Sequence, residues 1–301
     1  SKTETPGDNR EWTYNGETCS EQRDNETNGV CPIGHYCEEG SIAPTQCPPG
    51  TESNARGLHN VSECQPCTAG KMCPNSSTVV ATIPCTPGFY CPGGDIVATL
   101  PCTLGHYCAG GDKNPEPCAA GTFQNVTGAS SCHDCTAGSY CEQGAIVPVD
   151  CPPGYYCPTS TTFATEFPCP NGTYNNRTML TNVDECQACL GGSYCETDGL
   201  SLPTGLCDDG YYCGIGANTA TPDDSQMSSI YAGETCVDQS SEDVNGVCPL
   251  GHYCPKGSVA PSQCPPGTMS NAFGQYELGH CQNCTAGKMC PNSSTVVATI
   301  P

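Results

Sequence analysis

The sequence predicts a small disulfide-rich repeat fold: an elongated stack of cysteine-stapled turns and short β-ribbons with almost no helix. Three observations carry that expectation. The chain of 301 residues holds 30 cysteines. Those cysteines recur at fixed spacings along almost its whole length. Other apolar residues are scarce, with one Trp and five Phe. Ordering each residue costs about 1–2 kcal/mol of backbone entropy. Cross-links, contributing about 2–4 kcal/mol each by restricting the unfolded chain, must therefore carry the fold.

The recurring unit is clearest in Cys151-Pro152-Pro153-Gly154-Tyr155-Tyr156-Cys157. Pro stiffens the approach, Gly supplies the positive φ of a tight turn, and Tyr sets apolar area beside a sulfur. The same six-residue spacing between cysteines starts at Cys31, Cys67, Cys85, Cys102, Cys135, Cys189, Cys207, Cys248 and Cys284, with Met72 and Met289 replacing Tyr in two copies. Spacing leaves open whether each pair closes across its own turn or links neighbouring units.

A second kind of unit has Gly-Thr after the opening cysteine and no cysteine closing the turn. It begins at Cys47, Cys118, Cys169 and Cys264, and each ends in a C-x-x-C pair that starts at Cys64, Cys132, Cys186 and Cys281. Because each such loop follows a complete turn unit, bonds Cys47 to Cys64, Cys118 to Cys132, Cys169 to Cys186 and Cys264 to Cys281 are expected.

A longer period overlies the short one. The segment from Cys284 is identical to that from Cys67 through its final eighteen residues, at a shift of 217. Tyr231 to Cys236 likewise answers Tyr14 to Cys19. The expected organisation is a polar connecting segment at 1–18, tandem repeats at 19–213, a boundary linker at 214–235 and the start of a second long repeat at 236–301. Gly and Pro, 35 and 28 residues, disfavour helix throughout. Units this small bury area mainly against their neighbours, which implies a stack.

Cysteine at this density persists as disulfide in an oxidising compartment, so an extracellular or cell-surface location is expected. The polar start Ser1-Lys2-Thr3-Glu4-Thr5 has no leader character, and no apolar run is long enough for a membrane span. A net charge of −22 without a basic stripe excludes nucleic acid as a partner. The acidic pairs Asp208-Asp209, Asp223-Asp224 and Glu242-Asp243 suit solubility, or at most loose Ca²⁺ association; no other cofactor is expected.

Gly-Thr units closed by C-x-x-C and interleaved with C-P-x-G-x-Y-C turns resemble the ephrin-receptor-like cysteine-rich repeats, which are similar in style to tumour-necrosis-factor-receptor and EGF-type modules. The resemblance covers Cys19 to Cys213 and resumes at Cys236. It implies a part of a receptor ectodomain, a secreted matrix protein, or a large surface protein of ciliates, algae or other flagellated protists. No kinase or ephrin-binding sandwich accompanies the repeats here.

Sites of chemistry are few. Cys132-His133-Asp134-Cys135 has zinc-ligand types, but its cysteines belong to the spaced disulfide framework. Asn182-Val183-Asp184-Glu185-Cys186 imitates the entry of a calcium-binding EGF module without its later spacing. His35, His106 and His252 sit where Tyr155, Phe89 and Ser139 also occur, which indicates packing, and no catalytic constellation stands on a recognisable scaffold. The informative polar signal is the N-x-S/T sequon, found at Asn25, Asn60, Asn75, Asn125, Asn171, Asn176, Asn283 and Asn292. N-linked glycans are expected, with Asn283 the weakest because Cys284 is its middle residue.

The expectation is a non-enzymatic structural glycoprotein whose partners are other copies of the same chain in a fibre, flagellar hair or surface coat. The alternative is an adhesin or receptor-type ectodomain binding a protein or glycan. The even repetition favours the first. An odd cysteine count in the first 217 residues means that at least one is free, irregularly paired or bonded to another chain; if the turns and Gly-Thr loops all close locally, Cys19 and its counterpart Cys236 are left over as candidates for bonds between chains.

Overall fold

A computed structural model describes residues 29–222, 245–286 and 290, together with the backbone of Trp12–Tyr14 and Glu17–Cys19. The chain divides into two compact bodies, Ser1–His133 with Gln143–Val147, and Asp134–Glu142 with Pro148–Pro301. Among the described residues there is no α-helix; three single 3₁₀ turns at Val61–Glu63, Val183–Glu185 and Leu278–His280 are the only helical elements. Everything else regular is a ribbon of two short antiparallel strands. The fold is a series of small disulfide-rich repeats.

The repeat starting at Cys85 shows how the sequence makes the ribbon. The Phe89 amide donates to the Thr86 carbonyl and closes the turn, after which Phe89–Tyr90 pairs with Leu100–Pro101. The amide of Cys102 then donates to Gly88 at 3.0 Å and fixes the start of the next repeat. Three further bonds tie this repeat to that successor: Gly88 N to Cys108 O, Cys91 N to Asp112 O, and Gly111 N to Cys85 O, all between 2.8 and 2.9 Å. The second body repeats this pattern, with Gly172 N to Cys195 O, Asn175 N to Leu200 O and Gly199 N to Cys169 O. Each ribbon is too short to be stable alone, so the ladder between repeats satisfies the backbone that a larger sheet would otherwise pair.

The turn glycine reaches one repeat further. Gly88 has φ +87°, and a Cβ there would lie 2.3 Å from the carbonyl oxygen of Gly128, two repeats ahead. No other residue fits. The facing carbonyl belongs to a residue that is itself left-handed: Gly94, Gly111 and Gly128 for Gly50, Gly70 and Gly88, but Ser77 for Gly34 and Met179 for Gly138; these two and Ser160, the non-glycine left-handed residues among those described, have φ of 60 to 66°. The amides of those three donate to Cys47, Cys151 and Cys135, so the ladder holds a conformation that non-glycine residues seldom adopt.

The core consists chiefly of sulfur. Cys85, Cys91, Cys102, Cys108, Cys151, Cys157, Cys207 and Cys213 are all 0% exposed. Tyrosines cover the disulfide of the following repeat: Tyr174 packs on Cys189 and Cys195, and Tyr212 on Cys248 and Cys254. Aliphatic side chains such as Ile42, Val97, Val147 and Leu202 remain outside.

Near the start of the chain, Trp12–Tyr14 pairs with Glu17–Cys19 as a hairpin. Tyr211–Tyr212, just before the expected linker at 214–235, pairs with Gly246–Val247, just after it. Cys248 N donates to Gly210 and Gly257 N to Cys207, so the ladder runs on through the point of the 217-residue recurrence. Residues 223–244 lie outside the described residues.

Candidate modification and cross-linking sites

All six-residue pairs close across their own turns: Cys31 to Cys37, Cys67 to Cys73, Cys85 to Cys91, Cys102 to Cys108, Cys135 to Cys141, Cys151 to Cys157, Cys189 to Cys195, Cys207 to Cys213, Cys248 to Cys254 and Cys284 to Cys290. In the Gly-Thr repeats Cys47 is bonded to Cys64, Cys118 to Cys132, Cys169 to Cys186 and Cys264 to Cys281. Cα separations of 5.6 to 5.8 Å in these four suit an undistorted bridge.

The reason for two linkages lies six residues past the opening cysteine. A turn repeat has its second cysteine there; the Gly-Thr repeats have Ser53, Gln124, Asn175 and Ser270, all buried. Backbone at this place does the same work in both types: Gly34 donates to the carbonyl of Ser53, Gly105 to Gln124, Gly154 to Asn175 and Gly251 to Ser270. The side chain then replaces the sulfur bridge by local hydrogen bonds. Gln124 donates through Nε2 to the Ser131 carbonyl at 2.7 Å and accepts from the Val126 amide. Asn175 donates to the Arg177 carbonyl and accepts its amide. Left without a partner across the turn, the opening cysteine reaches the C-x-x-C instead. These four polar residues escape a reading that follows cysteines alone; aligning the repeats at the opening cysteine would have found them.

The Gly-Thr signature has a local cause as well. The hydroxyls of Thr51 and Thr122 donate to the carbonyls of Pro48 and Ala119 at 2.7 Å, and Thr173 and Thr268 act likewise on Pro170 and Pro265. In the turn repeats a histidine does a similar task, with Nδ1 of His35, His106 and His252 donating to the carbonyl two residues earlier.

Of the sequon asparagines, Asn60, Asn75, Asn125, Asn171, Asn176 and Asn283 are exposed. Asn125 and Asn176 hold the same place in their repeats, immediately after the buried Gln124 and Asn175; Asn54 and Asn271 occupy it in the other two Gly-Thr repeats without a sequon. Asn60 caps the 3₁₀ turn, its Oδ1 accepting from the Ser62 amide at 2.8 Å and from its hydroxyl. Asn182 caps its own 3₁₀ turn through the Asp184 amide, so the EGF-like stretch is a helix cap here. Asn25 and Asn292, like Cys236 and the side chain of Cys19, lie outside the described residues.

Carboxylates act as clasps. Glu52 accepts from the amide and hydroxyl of Thr68 and from the amide of Ala81. Partial desolvation pushes its carboxyl up, but those hydrogen bonds, with Lys71 nearby, outweigh it and hold the carboxyl below the ordinary range. Glu166 is held low by hydrogen bonds from Thr162, and Glu185 by those from Thr181. Asp208 faces Lys256 at 3.9 Å. No group of three metal-ligating side chains is assembled among the described residues, and both cysteines flanking His133 are in disulfides. Asp223-Asp224 and Glu242-Asp243 fall outside the described residues. No described helix is long and apolar enough to cross a membrane.

No family model matches the chain. It is similar to ABC transporter G family member 28 of Arabidopsis thaliana, 35% identical over 101 residues. That likeness covers 33% of this chain and 9% of the plant protein.

Proposed function

We propose that this chain is a structural extracellular glycoprotein of the ephrin-receptor-like repeat type that assembles with copies of itself into a fibre, flagellar hair or surface coat. The observation that carries the reading is the sameness of the ladder. In both bodies each repeat spends its backbone on the next one, through the same glycine, cysteine and left-handed residue. Such a chain gains length by adding like units. A framework of buried disulfides suits an oxidising exterior, and exposed sequon asparagines suit a sugar coat. Bonds between chains are assigned to Cys19 and Cys236. Electron microscopy of native material tests the proposal: filaments or a sheet-like coat that dissociate to larger-than-chain units without reductant are expected, and dispersed single chains that capture a ligand would overturn it.

A further inference from the structure

The turn and Gly-Thr disulfides differ in how their cysteines meet solvent. In the interior turn pairs Cys85 to Cys91, Cys102 to Cys108, Cys135 to Cys141 and Cys151 to Cys157, both cysteines are 0% exposed. In three Gly-Thr repeats only the opening cysteine, Cys118, Cys169 or Cys264, is fully buried; its partner, Cys132, Cys186 or Cys281, is partly exposed. The fourth, Cys64, is 6% exposed.

We infer that Cys132, Cys186 and Cys281 are thiol-exchange sites, the points at which an external small thiol enters this framework. The thiolate attacks the Sγ of the partly exposed cysteine in line with the S–S bond. A mixed disulfide forms there, and Cys118, Cys169 or Cys264 leaves with the electron pair and takes a proton, so that one disulfide is exchanged for another with no net oxidation. Two features make the step local. The ladder bonds at these repeats use backbone groups only, such as Cys118 N to Gly105 O and Gly144 N to Cys118 O. The Gln124 and Asn175 clasps are hydrogen bonds to neighbouring backbone that involve neither sulfur of the bridge. Reclosure is slower than in a turn, because the freed thiol must find its partner across a separation of 14 or 17 residues instead of six. Cys37 and Cys284 are partly exposed too, but each sits in a six-residue ring that recloses at once.

The experiment uses the whole chain, first alkylated to block any pre-existing thiol, then exposed to reduced glutathione and quenched at intervals with a second alkylating agent. Peptide mapping is expected to find glutathione on Cys132, Cys186 and Cys281 and the second label on Cys118, Cys169 and Cys264, at least about tenfold ahead of the interior turn cysteines. Cys64, in a loop as long as two of the others, is expected to lag with the turns. Hydrogen exchange on the same samples should keep the ladder amides of Gly105, Gly154 and Gly172 protected. Equal labelling of Cys64, simultaneous opening of the turns, adducts on the buried partners, or loss of ladder protection during the first phase would each overturn the inference.

Discussion

The turn repeat beginning at Cys85 and the Gly-Thr repeat beginning at Cys169 share a backbone and differ in how they close it. Both present a left-handed glycine to a carbonyl two repeats on, and an added Cβ would lie 2.3 Å from that oxygen at Gly88 and 2.7 Å at Gly172. Both donate the same amides to the next repeat. One is stapled across six residues by sulfur; the other is clasped at that point by Asn175 and stapled across 17. The difference teaches that the ladder is the invariant and the disulfide a replaceable way of pinning it.

The comparison breaks first if the shared glycine is not equivalent. Gly88→Ala and Gly172→Ala should each cost at least about 3 kcal/mol, from a left-handed φ and a backbone clash together. Thermal unfolding that separates the two variants widely would show that the repeats do not share one ladder. Gly144→Ala is the control, since a Cβ there meets nothing within 4 Å; only the strain of its φ should register, about 1 kcal/mol.

Next come the bridges. Chain entropy alone favours the longer loop, by about 1 kcal/mol between six and 17 residues. The turn pair, however, fills the core and has no clasp behind it. Replacing Cys85 and Cys91 by alanine should therefore cost more than replacing Cys169 and Cys186, about 4 against about 2–3 kcal/mol. Combining Cys85→Ala with Cys91→Asn, which imitates the Asn175 place, should recover about 1 kcal/mol in denaturant titration. A loop pair that proves the costlier would reverse the assignment of staple and clasp.

The clasp itself is worth less. Asn175→Ala removes two hydrogen bonds from a fully buried side chain and should destabilise by about 1–3 kcal/mol. Smaller again is the acid effect of Glu52. Its folded carboxyl is held below the ordinary range, so the stabilisation it gives is present above the unfolded carboxylate value of about 4.3 and is lost as pH falls through the folded one. Glu52→Gln should flatten the stability profile below about pH 4 and leave it nearly parallel above that. Smallest in stability are Asn125→Gln and Asn176→Gln. Each should remove one glycan mass from the intact protein while moving the unfolding midpoint little, because both side chains are exposed; an unchanged mass would remove the sugar-bearing role of that position.

Much of this was legible because cysteine spacing is a direct record of loop closure. Cys151 to Cys157 marks a turn, and Gly154 within it marks where the backbone must be left-handed. Less legible was anything carried by a residue type that varies. The place filled by Cys91 in one repeat is Ser53, Gln124, Asn175 or Ser270 in others, and hydrogen bonding unites them where composition does not. The left-handed place two repeats ahead is usually glycine but also Ser77, Ser160 and Met179, since the ladder, not the side chain, imposes φ there. The choice between closing a turn and linking neighbours depends on Cα approach in three dimensions, which spacing does not contain. The 217-residue recurrence was visible as identity, yet identity gives no sign that the segment after Tyr212 returns to pair with it at Gly246–Val247.

That return has a consequence for engineering. Tyr212 and Gly246 are separated in sequence by many more residues than the paired strands of the other ribbons, and they pair in antiparallel register. The ribbon tip is thus a splice point neutral to length: sequence enters and leaves at neighbouring backbone positions, so foreign segments whose ends lie close together are accepted there without re-threading the stack.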